Sequence, residues 1–235
     1  MALPFFYKED LLASDTTVIL DEATSKHIVQ VLRMQNGEQL QLTNGKGDLF
    51  TAEITDDNRK RCSAKILQTT NSKPPTTNIC IAISLIKNSS RFEWFLEKAT
   101  EIGVSEIIPL ICERTEKTAF KTDRLTSILV SAMLQSQQCW LPVLHEPTKF
   151  KQLVESSAQQ QKFIAHCIDG AKRNLSDLNN EVLSSKIILI GPEGDFTPEE
   201  IKLALQNNFS AVALGETRLR TETAGMVVAA LLRLV

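Results

Sequence analysis

The passage Lys186-Ile187-Ile188-Leu189-Ile190-Gly191-Pro192-Glu193-Gly194-Asp195-Phe196-Thr197-Pro198-Glu199-Glu200 changes character twice. Residues 186–191 open as an apolar run, the pattern of a strand covered on both faces. Thr197-Pro198-Glu199-Glu200 then has the form of a helix start: a threonine N-cap, proline at the first helical position and glutamate at the third, a capping box. The helix is expected over 197–206. Between strand and helix, Gly191-Pro192-Glu193-Gly194 is more elaborate than a connector needs. Its two glycines let the backbone turn and approach a ligand closely. The passage therefore reads as strand, ligand-facing loop, helix.

The same alternation extends in both directions. Apolar strands are expected at 79–86, 104–112, 163–168 and 211–215. The run 79–86 is nearly continuous, as expected of a strand buried on both faces, whereas His166-Cys167 reads as core within its strand. Helices are expected at 91–102, 123–138 and 222–234. In the first, Phe92, Phe95, Leu96, Ala99 and Ile102 share a face and Gly103 ends it. Strands alternating with helices define an α/β fold with a parallel sheet, whose ligands bind at the carboxyl ends of the strands. A second loop, Leu214-Gly215-Glu216-Thr217-Arg218-Leu219-Arg220-Thr221-Glu222-Thr223-Ala224-Gly225, lies at such an end and carries two arginines and two glutamates. The closing segment Met226–Leu232 is apolar all round, so it is expected to be covered on every side.

Upstream of residue 72 the period shortens to two. Residues 38–43 and 48–54 alternate apolar and polar around Asn44-Gly45-Lys46-Gly47, a hairpin signal, and 62–67 supplies another strand. Ala23, His27, Val31 and Met34 have helical spacing on one face. This half reads as a small β-barrel with one helix. Residues 69–77 are polar, contain Pro74 and Pro75, and read as the inter-domain linker.

Composition excludes several classes. The 235 residues are 43% hydrophobic and 23% charged, which fits ordered globular domains and neither a disordered nor a fibrous chain. No run approaches the ~18 apolar residues of a membrane span. Residues 1–8 do not form a secretory leader. Five scattered cysteines without a C-x-x-C fit a reducing cytosol better than a disulfide framework. The net charge of −2 denies the chain an overall basic body, so any nucleic-acid contact must be local, as at Arg59-Lys60-Arg61. No phosphate-binding Walker loop, nucleophile elbow or zinc spacing is present. Gly45-Lys46-Gly47 is a turn and not a dinucleotide fingerprint, since no helix follows it.

The two C-terminal loops resemble the SPOUT methyltransferases, through G-P-E-G-[GD]-[FL] and L-G-x-x-x-L-R-x-E-T-A. Within them the chain is most similar to the ribosomal RNA small subunit methyltransferase E family. His27-Ile28-Val29-Gln30-Val31-Leu32-Arg33-Met34, Lys98-Ala99-Thr100-Glu101-Ile102-Gly103-Val104 and the Pro109, Glu113, Arg114 set also resemble that family's motifs. The chain departs from the pattern at Cys112, Leu134, Gln138 and Thr217. The resemblance implies a PUA-like β-barrel over 1–72 and an α/β domain with a deep trefoil knot over 73–235. It implies methylation of N3 of a uridine in 16S rRNA of the small ribosomal subunit, with S-adenosylmethionine as cofactor and no metal. It also implies a cytoplasmic homodimer, free of membrane, whose site is completed across the interface.

On that reading, Ile190, Gly191, Glu193, Gly194, Leu214, Gly215, Arg218, Leu219 and Ala224 are expected at the cofactor. The adenine needs apolar walls and backbone partners, which these loops offer. Removing the N3 proton of uracil spreads charge onto its carbonyl oxygens, where a fixed cation is stabilising. Arg220 suits that role through its permanent charge and rigid fork. Glu222 would orient Arg220 or accept the proton, and Thr223 would hydrogen-bond the base. His27, Arg33, Arg59, Lys60, Arg61, Lys87 and Arg91 are expected to contact RNA, largely at phosphates. The residues themselves leave other readings open. These are a related enzyme for another RNA nucleotide, an α/β enzyme holding a nucleotide or phosphate ester at the helix after Phe196, and a non-catalytic RNA-binding module.

Overall fold

The computed structural model describes residues 3–178 and 184–234, and these divide into two compact units. One comprises residues up to Pro74 together with Met133–Leu141; the other comprises Pro75–Ala132 and the chain from Pro142 onward.

The first unit contains β1 (Phe5–Tyr7), β2 (Thr17–Ile19), α1 (Glu22–Lys26), β3 (Gln39–Thr43), β4 (Asp48–Asp56) and β5 (Ser63–Asn71). They form a five-stranded sheet of order β1-β3-β4-β5-β2, antiparallel except at β1–β3. Alternation puts Leu40, Leu42, Phe50, Ala52 and Ile54 on one face, where they meet Phe6, Val18, Leu20 and Ile28. The hairpin turn is organised by Asn44. Its Oδ1 accepts from the Lys46 amide at 2.9 Å, and its Nδ2 donates to Asp48 at 2.8 Å.

Three sequence expectations change in this unit. The helix read over 22–34 keeps α geometry only in α1, then continues as a π-turn over His27–Val31 and breaks at Arg33, where φ is 57°. The buried side is Ser25, Ile28 and Met34, whereas Ala23 and His27 are exposed and Val31 is 69% exposed. Ser25 fixes this orientation, because its buried hydroxyl donates to the Leu20 carbonyl and accepts from the Cys62 amide. The expected linker also begins later. β5 runs on to Asn71, pairing Thr70 with Leu49 and Asn71 with Asp48, because threonine suits a strand and the Asn71 amide bonds Asp48 at 2.7 Å. Finally, Met133–Leu141 packs in this unit, which helical periodicity does not reveal. The Gly47 amide donates to the Cys139 carbonyl at 2.8 Å, and the Trp140 indole donates to the Ser72 carbonyl at 3.2 Å.

The second unit contains β6 (Asn78–Ser84), α2 (Ser89–Ile102), β7 (Glu106–Ile111), α3 (Thr122–Gln135, whose last turn lies in the first unit), β8 (Val143–Leu144), β9 (Thr148–Lys149), α4 (Phe150–Ser156), β10 (Gln161–Ala165), β11 (Arg173–Asn174), α5 (Leu175–Leu178), β12 (Ser185–Ile190), α6 (Pro198–Gln206), β13 (Ser210–Ala213) and α7 (Thr221–Leu234). The sheet order is β11-β13-β10-β12-β6-β7-β8, with β9 also on β7, and every pairing is parallel. β6 and β12 lie at the centre, which is why both read as unbroken apolar runs. Gly103 ends α2 in the left-handed region, as expected. α7 runs beside α2, and Gly225 makes the approach possible. A Cβ there would lie 2.6 Å from the Phe95 ring. Complete burial of α7 does not hold within one chain. Met226, Val227, Ala230 and Leu231 are only half-buried, because the sheet and α2 cover one side of the helix.

Gly47 has φ 98°, and a Cβ there would overlap the Trp140 ring. Gly47→Ala is therefore expected to destabilise the protein by about 2 kcal/mol or more, from backbone strain and overpacking together. Urea denaturation checks this; an unchanged midpoint would contradict the packing of Trp140 against this turn.

Candidate active site

A cavity of about 740 Å³ opens at the carboxyl ends of β10, β12 and β13. Residue pairing places those ends level: Ala165 is opposite both Ile190 and Val212. Three connections form the walls, following β10, β12 and β13 respectively.

The loop after β12 is anchored from below and braced from the side. Phe196 is fully buried, with its ring 5.3 Å from that of Phe150. A side chain on Gly191 would press that ring at 3.2 Å, which accounts for glycine there. Asp195 takes φ 63° and ties two loops together. Its carboxylate accepts from the Phe196 amide and from the Cys167 amide, each at 2.8 Å. Glu193 accepts from the Lys87 amide at 3.1 Å. Thr197 caps α6 with the full capping box, and Glu200 also accepts from the Glu113 amide. The first turn of α6 is thus supplied with carboxylates, which argues against an anion site there.

The loop after β13 is joined to this one by a buried hydrogen bond, from the Thr221 hydroxyl to the Gly191 carbonyl at 3.0 Å. Glu222 opens α7 and is 8% exposed, with Arg91 of α2 3.6 Å from its carboxylate. After β10, Lys172 donates to the carbonyls of His166 and Ile168 at 2.9 and 3.0 Å. Burial, and then the Lys172 cation, hold His166 below the usual histidine range. Its Nδ1 is buried and has no hydrogen-bond partner among the described residues.

Most of the expected cofactor residues come together. Ile190, Gly191 and Glu193 line the cavity from one loop; Leu214, Gly215, Arg218 and Leu219 line it from the other, with Ala224 behind. Arg220, Glu222 and Arg91 are on the same wall. Two of the expected residues lie off the cavity wall. Gly194 is not on the cavity wall and has no left-handed φ: Arg114 covers it, donating to its carbonyl at 2.7 Å. The left-handed residue is Asp195. Thr223 is half-buried on α7 and does not line the cavity either, since Glu222 and Ala224 take the inward positions of that turn. Of the remaining RNA candidates, His27, Arg33, Arg59, Lys60 and Arg61 are exposed in the first unit, and Lys87 pairs with Glu116 at 2.9 Å.

Sequence reasoning missed His166, Asp169, Lys172 and Asp195 on the cavity wall. β10 stops at Ala165, so His166 and Cys167 belong to a loop and not to a core strand. The signal was Asp169-Gly170, a turn pair directly behind the apolar run. Among the described residues no His, Cys, Asp and Glu cluster could hold a metal ion, and no helix is long and apolar enough to cross a membrane.

An α/β domain with this site, alongside a small β-domain, is the architecture of an RNA methyltransferase. Residues 72–233 match the family model described as RNA methyltransferase domain, and 20–67 match the RNA methyltransferase PUA domain. The chain is 32% identical to the ribosomal RNA small subunit methyltransferase E of Synechocystis over 91% of its length and 71% of the relative's. A probable rRNA-methyltransferase from Porphyromonas gingivalis has a similar structure, with TM-score 0.90 and 37% identity over 99% of both chains. So does the ribosomal RNA small subunit methyltransferase E of Neisseria gonorrhoeae bound to S-adenosyl methionine, with TM-score 0.86 and 31% identity over 97% of this chain and 96% of that one. The protein belongs to the ribosomal RNA small subunit methyltransferase E family.

Replacing Thr221 by valine keeps shape but removes the donor to the Gly191 carbonyl. Stability is expected to fall by about 1–3 kcal/mol, the cost of a buried unpaired acceptor. Thermal denaturation measures it, and an unchanged midpoint would mean that the bond does not join the loops.

Proposed function

We propose that this protein methylates N3 of a uridine in the 16S rRNA of the small ribosomal subunit, using S-adenosylmethionine bound in the 740 Å³ cavity. The observation that carries the reading is one cavity lined both by Arg220 and the buried Glu222 and by the apolar Ile190, Leu214 and Leu219. The fit is supported by the cavity's size and by its mix of backbone loops, apolar side chains and charged groups. The names of the relatives agree with this substrate and cofactor.

S-adenosylmethionine, when bound, supplies an electrophilic methyl group on a cationic sulfur. Ile190, Leu214 and Leu219 provide apolar cover for its adenine, and the Gly191 and Gly215 backbones allow close approach. Gly215 has φ 128°, in the left-handed region that favours glycine. Arg220 faces the charge that develops on the uracil carbonyl oxygens as the N3 proton leaves. Glu222 is the buried carboxylate on this cavity and is assigned to receive the proton, with Arg91 beside it to hold it in place. Thr223 has no part in this arrangement. In the first unit, His27, Arg33, Arg59, Lys60 and Arg61 offer exposed groups for RNA phosphates.

The same reading includes a deep trefoil knot. It is supported by the entry of β12 between β6 and β10 and by the Thr221–Gly191 bond, which draws the start of α7 against the loop after β12. It includes the cytoplasm as the place where the substrate is met. It also includes a homodimer, in which a second copy covers the half-buried Met226, Val227 and Ala230 of α7. Sedimentation at micromolar concentration is expected to give the dimer mass, and a monomer would remove the dimer from the reading.

Arg220→Lys keeps the charge but loses the planar fork. It is expected to lower kcat about 10²–10³-fold, with little change in KM for RNA. Arg218→Lys should have a smaller effect. Single-turnover methyl transfer to small-subunit RNA measures both. A more damaging Arg218 change would overturn the assignment of Arg220.

A further inference from the structure

A second cavity, of about 310 Å³, lies in the α/β unit beside the first turns of α2 and α3. Its walls are apolar: Leu85, Ile86, Phe92 and Leu125 are buried, and Phe120 is half-buried. Its rim is charged, and most of that charge is already matched. Arg124 makes a two-pronged bond to Glu93 at 2.6 and 2.8 Å, and nearby Glu116 pairs with Lys87. Lys117 and Lys121 remain, both exposed and without an ion pair among the described residues. The opening therefore combines aromatic and aliphatic walls with two uncommitted cations. A π-faced, negatively charged group has that chemistry: a base with its phosphate.

The position agrees. Arg91 lines the large cavity, while its neighbours Ser90 and Phe92 line the small one, so the two openings flank one turn of α2. Lys87 links them, with its amide on Glu193 and its ammonium on Glu116, next to Lys117. We propose that the 310 Å³ cavity receives an unstacked nucleotide of the RNA substrate close to the target uridine, the base against Phe120 and the phosphate at Lys117 and Lys121. This inference rests on the RNA methyltransferase reading above and deepens it.

The test uses the full-length protein and a small-subunit rRNA transcript containing the target uridine. Phe120→Leu keeps apolar volume and loses the aromatic face, so RNA affinity is expected to fall about tenfold, while Phe120→Tyr retains it. Lys117→Ala with Lys121→Ala should weaken binding and reduce the slope of log affinity against log salt by about 1.4, the share of two phosphate contacts on a single strand. Affinity for S-adenosylmethionine should stay as in the wild type in every variant. Wild-type methylation with unchanged RNA affinity and salt slope in these variants would overturn the subsite alone. Wild-type protein that does not methylate the transcript would overturn the parent reading and the subsite with it. Tighter binding of free UMP than of the transcript would overturn the assignment to RNA.

Discussion

The buried hydrogen bond from the Thr221 hydroxyl to the Gly191 carbonyl holds the α/β unit's site together. It joins the start of the last helix to the loop leaving the central strand β12, and the cavity lies between the segments it connects. A buried carbonyl at a strand end needs a donor, and the threonine supplies one from the cavity lining itself. The bond works because each partner is fixed independently. Phe196 anchors the first loop in the core, and Gly225 lets α7 settle against Phe95 of α2. Asp195 repeats the principle one strand further along, binding the loop after β10 to the loop after β12. The result is a preorganised wall on which Arg220 and Glu222 are set by backbone elements and not by one another.

The charge arrangement follows from burial. Glu222 is nearly enclosed, and among the described residues the cation placed beside it in an ion pair is Arg91, from a different helix. On the proposed reading, Arg220 is thereby left for the substrate. A wall on which the arginine and the glutamate neutralised each other would have less to offer a developing negative charge. The neutral overall composition fits the same economy, since the cations that matter are few and local.

The parallel sheet was legible in the sequence wherever burial is two-sided. β6 and β12 stand out because strands covered on both faces leave no polar positions. The loops that line the cavity were legible because glycine, proline and a capping box have strong local meanings. What stayed hidden depends on partners distant in the chain. The residue in the left-handed conformation is Asp195 and not Gly194, because the contact with Cys167 sets it. Thr223 turns out of the cavity wall because α7 begins at Thr221, a register that the Gly191 carbonyl determines. In the helix read over 22–34 the buried side is set by the Ser25 hydroxyl, bonded to Leu20 and Cys62 outside the helix, and the π-turn at His27–Val31 leaves Val31 at the surface. The docking of Trp140 over Gly47 joins residues far apart in sequence, and no local period records it.

Whether this cavity directs a methyl group to N3 of one uridine is read directly from small-subunit rRNA incubated with the protein and methyl-labelled S-adenosylmethionine, digested to nucleosides and examined by mass spectrometry. The expected result is label in 3-methyluridine, from a single position. Label on a different nucleoside, on carbon 5 or on the ribose, or no label at all, would contradict it.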